Sequence, residues 1–182
     1  AQDAVSGNKA LVKPTQRAAA LKQIKETRAQ ANLEQAQAFL AANAEKDGVK
    51  TLPSGLQYKE VQAGEGKTPG AGDSVVVNYR GTLIDGTEFD SSYERGKPST
   101  FQVKKVIKGW REALLMMKEG AKWELYIPPE LGYGKRGMRK TIPPNNALIY
   151  EVELIAVSAA PEVQKPLSRP PVPVPGAKPR EE

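Results

Sequence analysis

The sequence predicts an α+β protein in which short strands build a curved antiparallel sheet against one short helix, with a long helix in front. Three observations carry this. Residues 56–61, 74–83, 121–127 and 148–157 are β-branched runs or alternate apolar with polar residues, as strands buried on one face do. Between them a single short stretch places Trp110, Ala113, Leu114 and Met117 at i, i+3, i+4 and i+7, one face of a helix. Residues 15–46 contain no Gly or Pro and are mostly Ala, Gln, Glu, Lys and Leu, good helix formers throughout.

Taken in order, the long helix has Thr15 as its N-cap and Gly48 as its stop. Leu21, Ile24, Ala31, Ala38 and Ala42 fall roughly on one stripe, with Leu33, Phe39 and Leu40 beside it, while Arg28 and Gln35 interrupt the heptad. Such a helix is either a solvated spacer or half of a dimer contact. Pro53-Ser54-Gly55 makes a turn, and the folded domain begins near Leu52. The glycine-rich residues 64–72 form a loop, with no strand–turn–helix context for a phosphate cradle. Val75, Val77 and Tyr79 share one face of residues 74–83, and Asp85-Gly86 is a hairpin turn. Residues 87–90 and 100–103 read as short strands around a polar loop. Trp123, Leu125 and Ile127 alternate, as do Leu148, Tyr150, Val152 and Leu154. Residues 128–147 form a long Gly/Pro-rich loop, a length usually kept for function. Seven of the fifteen prolines lie in residues 159–182, a polyproline tail with nothing to bury. The division is therefore a helical region 1–50, a folded domain 51–158 and a tail 159–182.

Composition narrows the chemistry. The 182 residues contain no Cys and no His. Disulfides, thiolate nucleophiles, zinc–cysteine sites and the usual triad base are all excluded. No apolar run approaches the ~18 residues of a membrane span. The net charge of +6 is spread along the chain, and no aromatics interleave with its basic clusters, so nucleic acid is not an expected partner. The opening Ala1-Gln2-Asp3-Ala4 fits either a removed signal peptide or an arbitrary boundary.

Five motifs then occur in sequence: Asn78-Tyr79-Arg80-Gly81-Thr82-Leu83, Gly86-Thr87-Glu88-Phe89-Asp90-Ser91-Ser92, Val106-Ile107-Lys108-Gly109-Trp110, Ile127-Pro128-Pro129-Glu130-Leu131-Gly132-Tyr133-Gly134 and Ile142-Pro143-Pro144-Asn145. Across residues 52–157 they resemble the FKBP-type peptidyl-prolyl cis-trans isomerases. Phe39-Leu40-Ala41-Ala42-Asn43 and Ser54-Gly55-Leu56-Gln57-Tyr58 resemble the entry to the bacterial macrophage infectivity potentiator subgroup. The resemblance implies a five- or six-stranded antiparallel sheet wrapped around one short helix. It implies X-Pro polypeptides as clients, macrolide inhibitors such as tacrolimus and rapamycin as ligands, a homodimer through the N-terminal helix, a periplasmic or exported location with the cytoplasm as alternative, and no cofactor. By position it makes Asp90, Tyr133 and Tyr79 the catalytic set, with Asp90 either structural, bonding the Tyr79 hydroxyl or pairing with Arg95, or acting electrostatically near the twisting carbonyl. It makes Phe89, Val106, Ile107, Trp110, Ile142, Tyr150 and Arg95 substrate-binding, with Trp110 under the proline ring and the Ile107 N–H and Tyr133 hydroxyl on substrate carbonyls. Ser99, Met138 and Thr141 depart from the usual rim residues, and Tyr150 stands where Phe is common.

That chemistry suits a chain without His or Cys. Rotation about an amide faces a barrier of ~18–20 kcal/mol because conjugation must break. An apolar cleft disfavours the planar, polar ground state relative to the twisted one and requires no nucleophile. The alternative is a non-catalytic chaperone or adaptor that holds proline segments. Lys104, Lys105 and Lys108, with Lys135, Arg136, Arg139 and Lys140, are either a solvated basic face or a cationic mouth suited to prolines flanked by Asp or Glu.

Overall fold

The computed structural model describes residues 13–159; residues 1–12 and the proline-rich stretch from 160 onward lie outside them. Helix α1 spans Pro14–Ala44, about 46 Å at 1.5 Å per residue. Its cap is Lys13 rather than Thr15, and Pro14 occupies the first turn, where a missing N–H is harmless.

The packed face of α1 is not the expected apolar stripe. Leu21 and Ile24 are 58% and 49% exposed, and Ala31, Ala38 and Ala42 are exposed as well. The buried positions are Ala36 and Asn43, with Asn32, Leu33 and Leu40 half-buried. This face is held largely by amides, which a search for apolar periodicity passes over. Asn32 Nδ2 donates to the Pro144 carbonyl (2.9 Å) and Asn145 Nδ2 to the Ala29 carbonyl (3.0 Å). Asn43 Nδ2 donates to Gln57 Oε1 (2.9 Å), and Gln57 Nε2 to the Leu40 carbonyl (2.8 Å). Phe39 adds a tilted ring contact with Tyr126 at 6.3 Å. The C-terminal half of α1 is thus docked on the domain, and residues 14–28 stand exposed.

Seven strands follow: β1 Val49–Thr51, β2 Gln57–Gln62, β3 Ser74–Leu83, β4 Glu88–Ser91, β5 Ser99–Gln102, β6 Lys122–Ile127 and β7 Leu148–Ser158. β1, three residues long, is the addition to the expected strands; it is too short to show a period. The order is β1-β2-β6-β7-β3-β4 with every pairing antiparallel. β4 and β5 share one edge of β3: β5 pairs with residues 74–77 and β4 with residues 80–82. The chain therefore leaves the sheet between Ser91 and Ser99, and that detour carries Arg95. Register shifts at Glu60/Gln62, Val76/Val77 and Gly81/Thr82 bend the sheet.

Helix α2, Lys108–Leu114, lies in the concave side. It begins two residues before Trp110 and ends at Leu114, yet Met117 is fully buried from the turn that follows. Seven residues do not make a stable helix alone; α2 is held by burying Trp110, Ala113 and Leu114 against Leu125, Ile127, Val152 and Leu154. Each fully buried Leu or Ile contributes about 1.5–3 kcal/mol. A Cβ on Gly109 would fall 2.8 Å from Ile127 Cγ2, so glycine is what lets the helix start so close to β6. No helix among the described residues is long and apolar enough to cross a membrane.

Candidate active site

The inward alternation of β3 (Val75, Val77, Tyr79) and β7 (Tyr150, Val152, Leu154) brings two tyrosines to the rim of the concave face. There an open cavity of about 280 Å³ is lined by Tyr79, Asp90, Phe101, Lys105, Val106, Ile107, Trp110, Tyr133 and Tyr150. They come from four strands of the sheet, from the long loop and from the segment leading into and opening α2. Asp90 is on β4 and Phe101 on β5. Lys105 and Val106 leave a 3-10 turn, Val103–Lys105, that aims the chain into α2. Tyr133 follows the turn Pro129–Leu131 in the long loop. The larger concavities beside Ala20, Gln23, Ile24, Thr27 and Arg28 are the flank of a single exposed helix with no facing wall.

Trp110 is the hub. It is 4% exposed and receives three edge-on rings: Tyr79 at 5.2 Å, Tyr150 at 5.1 Å and Phe101 at 5.6 Å. Such pairs each contribute about 0.5–1.5 kcal/mol beyond their buried area. Phe89 stands edge-on behind Tyr150 at 5.4 Å. A Cβ on Gly81 would lie 2.7 Å from both the Phe89 and Tyr150 rings, so the rings cross this glycine in contact with its backbone.

The polar groups form a closed triangle. The Tyr79 hydroxyl donates to Asp90 Oδ2 (2.6 Å), Arg95 Nη1 donates to Asp90 Oδ1 (2.6 Å), and Arg95 Nη2 donates to the Tyr79 oxygen (2.7 Å). Arg95 Nη2 also donates to Ser99 Oγ (2.9 Å), which gives that unusual rim residue a role. Burial, and then the bond to Asp90, raises the Tyr79 pKa above its usual 10.0. Burial also raises Tyr133, helped by the Asp90 charge and partly offset by the Tyr150 hydroxyl. Tyr150 is pushed up chiefly by burial. All three phenols keep their protons at neutral pH; Tyr79 directs its proton to Asp90, and the Tyr133 hydroxyl is the donor facing the cavity. The Ile107 N–H, at the start of α2, has no partner among the described residues.

Of the ten residues expected at the site, Tyr79, Asp90, Val106, Ile107, Trp110, Tyr133 and Tyr150 line the cavity. Phe89, Ile142 and Arg95 do not. Phe89 braces Tyr150, Ile142 is 1% exposed in the core, and Arg95 acts through Asp90 and Tyr79. Sequence reading missed Phe101. Phe101 was legible in hindsight as an aromatic within an expected strand. Lys105 belongs to the basic run beside the helix, and it is the member of that run that lines the cavity.

No Ser, Thr, Cys or His is among the nine lining residues, so the site is an aromatic cleft with hydrogen-bond donors at its edge, on a bent antiparallel sheet around one short helix. The chain belongs to the FKBP-type peptidyl-prolyl cis-trans isomerase family: that family's model matches residues 65–155, and the model of the domain amino-terminal to such isomerases matches residues 1–59. Within it the chain is of the Mip-like kind. It is 60% identical over 126 residues to the peptidyl-prolyl cis-trans isomerase Mip of Coxiella burnetii, covering 69% of this chain and 55% of that protein. It is 51% identical over 133 residues to the outer membrane protein MIP of Legionella longbeachae, covering 73% and 57%. The crystal structure of FkpA from Escherichia coli superposes with a TM-score of 0.74 at 48% identity, over 77% of this chain and 65% of that one. The chain spans about half the length of the curated relatives it matches.

Proposed function

We propose that this chain catalyses cis–trans isomerisation of X-Pro peptide bonds and so assists protein folding. The observation that carries it is the cavity itself: five aromatic and two aliphatic side chains around a space of about 280 Å³, with hydrogen-bond donors at the edge and no Ser, Thr, Cys or His in the lining. The proline ring rests on Trp110, between Tyr79, Phe101 and Tyr150. The Ile107 N–H and the Tyr133 hydroxyl hold substrate carbonyls and fix register. In this dry setting the planar amide loses the water that stabilises its dipole, and the twisted amide loses less. Each tenfold acceleration requires about 1.4 kcal/mol off the barrier. Asp90, held by two donors, orients Tyr79 and presents a fixed negative end to the twisting amide.

The clients are unfolded chains with accessible prolines, and macrolide inhibitors compete for the same cleft. Export to the cell envelope is supported by the name of the Legionella relative. Pairing of two copies through the exposed residues 14–28 of α1 is supported by Leu21 and Ile24, which no other part of the described chain covers. Isomerisation of a short X-Pro peptide and holding of an unfolded client, measured for Tyr133→Phe and Asp90→Ala, test the assignment. The expected result is a loss of about tenfold in kcat/KM with holding retained, the size of one or two lost hydrogen bonds. Wild-type protein that holds clients but does not accelerate the peptide is instead a binder of proline segments.

A further inference from the structure

The charges of the folded domain are sorted. Residues 51–158 hold fifteen Lys and Arg against thirteen Asp and Glu. Two segments supply seven of the nine cavity-lining residues: residues 99–111, with Phe101, Lys105, Val106, Ile107 and Trp110, and residues 131–150, with Tyr133 and Tyr150. The first segment contains Lys104, Lys105, Lys108 and Arg111 and no acid. The second contains Lys135, Arg136, Arg139 and Lys140 and no acid. The two lips thus hold eight of the domain's cations and none of its acids, leaving seven cations against thirteen acids elsewhere.

All eight are exposed, and none joins an ion pair among the described residues. Arg111 donates to the Lys104 carbonyl, a bond that holds the side chain near the first lip without neutralising it. The carboxylate inside the cavity is already occupied, since Asp90 is paired with Arg95 at 2.6 Å. The second lip is fixed to the cavity wall through the Gly137 N–H on the Tyr133 carbonyl (3.1 Å) and the Met138–Ile142 bridge. Lys105 lies in the cavity lining itself, and unpaired charges act on one another within a Debye length, about 8 Å at physiological salt.

We propose that the cleft selects X-Pro segments flanked by Asp or Glu, an acidic class of client peptide. The proposal rests on the isomerase reading above. The lips raise the local concentration of such segments and hold their side chains while the apolar floor takes the proline. Exposed ion pairs contribute little one at a time, so the preference comes from several cations acting together and is sensitive to salt.

The test compares one X-Pro peptide with neutral, acidic and basic flanks. Turnover of the neutral peptide by the wild-type chain reports the isomerase itself. The acidic-to-basic ratio of kcat/KM reports the lips. We expect a ratio of about threefold per flanking charge at low salt, carried mainly by KM and collapsing near 1 M salt, where the Debye length is about 3 Å. Charge reversal in Lys104→Glu/Lys108→Glu and in Arg136→Glu/Lys140→Glu inverts the ratio, each variant being normalised to its own neutral-peptide rate. Calorimetric titration of the same peptides gives the preference as Kd ratios, so it is decided even if turnover is absent. Equal values for acidic and basic flanks at low salt overturn the proposal. So does binding of duplex DNA or anionic vesicles at physiological salt by a chain that treats all three peptides alike, which would assign the lips to another partner.

Discussion

Asp90 accepts from two different donors within 2.6 Å, and that fact organises the chemistry of single residues here. With Arg95 also donating to the Tyr79 oxygen, removal of any one member leaves the other two misdirected. If Asp90 acts on the rate through Tyr79, the Tyr79→Phe and Asp90→Ala chains lose similar amounts of kcat/KM, about tenfold, and the double variant loses little more than either. Losses that multiply in the double variant show Asp90 acting directly on the amide. Stability separates from rate where Arg95 is concerned, because the Asp90–Arg95 pair is about two-fifths exposed, whereas Tyr79 is 4% exposed. Loss of that ion pair costs about 1 kcal/mol or less in unfolding free energy, while Trp110 and its rings stay in place.

At the scale of elements, the long loop is clipped to α1. Asn145 sits at φ +57°, a left-handed conformation that Asn tolerates. Its side chain reaches the Ala29 carbonyl, and its N–H reaches the Gly134 carbonyl at 2.8 Å, beside Tyr133. The helix is therefore linked to the cavity wall by two bonds in series. Asn32→Asp keeps the shape of the second clip but removes the N–H facing the Pro144 carbonyl. Hydrogen exchange of amides in residues 132–147 is expected to quicken about fivefold, the equivalent of ~1 kcal/mol for one hydrogen bond. Gln37→Ala, on the exposed side of α1, leaves the exchange unchanged. This clip was not legible in the sequence. Alternation along β3, β6 and β7 is written in apolar residues and could be read directly, as could the face of α2. The docking of α1 is written in Asn32, Asn43, Asn145 and Gln57, whose partners are carbonyls and amides distant in sequence. The cavity was legible through motif resemblance, but which of its residues face the space depended on contacts distant in sequence. Ile142 is held in the core by its bridge to Met138 within the loop, and Phe101 reaches the cavity from β5.

For the whole molecule, the absence of histidine shapes the response to pH. No side chain with an ordinary pKa titrates between about pH 5 and 8. Above that range the sign is set by buried phenols. Tyr79, Tyr126, Tyr133 and Tyr150 all have pKa values raised above 10.0, with burial as the first cause. The folded chain therefore binds protons more tightly than the unfolded one above pH 10. That stability is fully present below pH 10 and is lost as pH rises toward the folded values. Chemical denaturation is expected to give one unfolding free energy from pH 6 to 9 and a falling one above pH 10, with kcat/KM flat over the lower range. A step near pH 6.5 in either would contradict this account.

The chain has only two tryptophans, and they lie in opposite settings. Trp123 is stacked flat on Tyr58 at 4.4 Å. Trp110 forms part of the cavity wall, with Tyr79 and Tyr150 edge-on at 5.2 and 5.1 Å. Light absorbed by those phenols passes to the Trp110 indole, and any ring seated on that indole displaces the water beside it. With Trp123→Phe, the remaining indole emission comes from the cavity alone. The protein then carries its own optical gauge of occupancy, read without label, for clients and inhibitors alike.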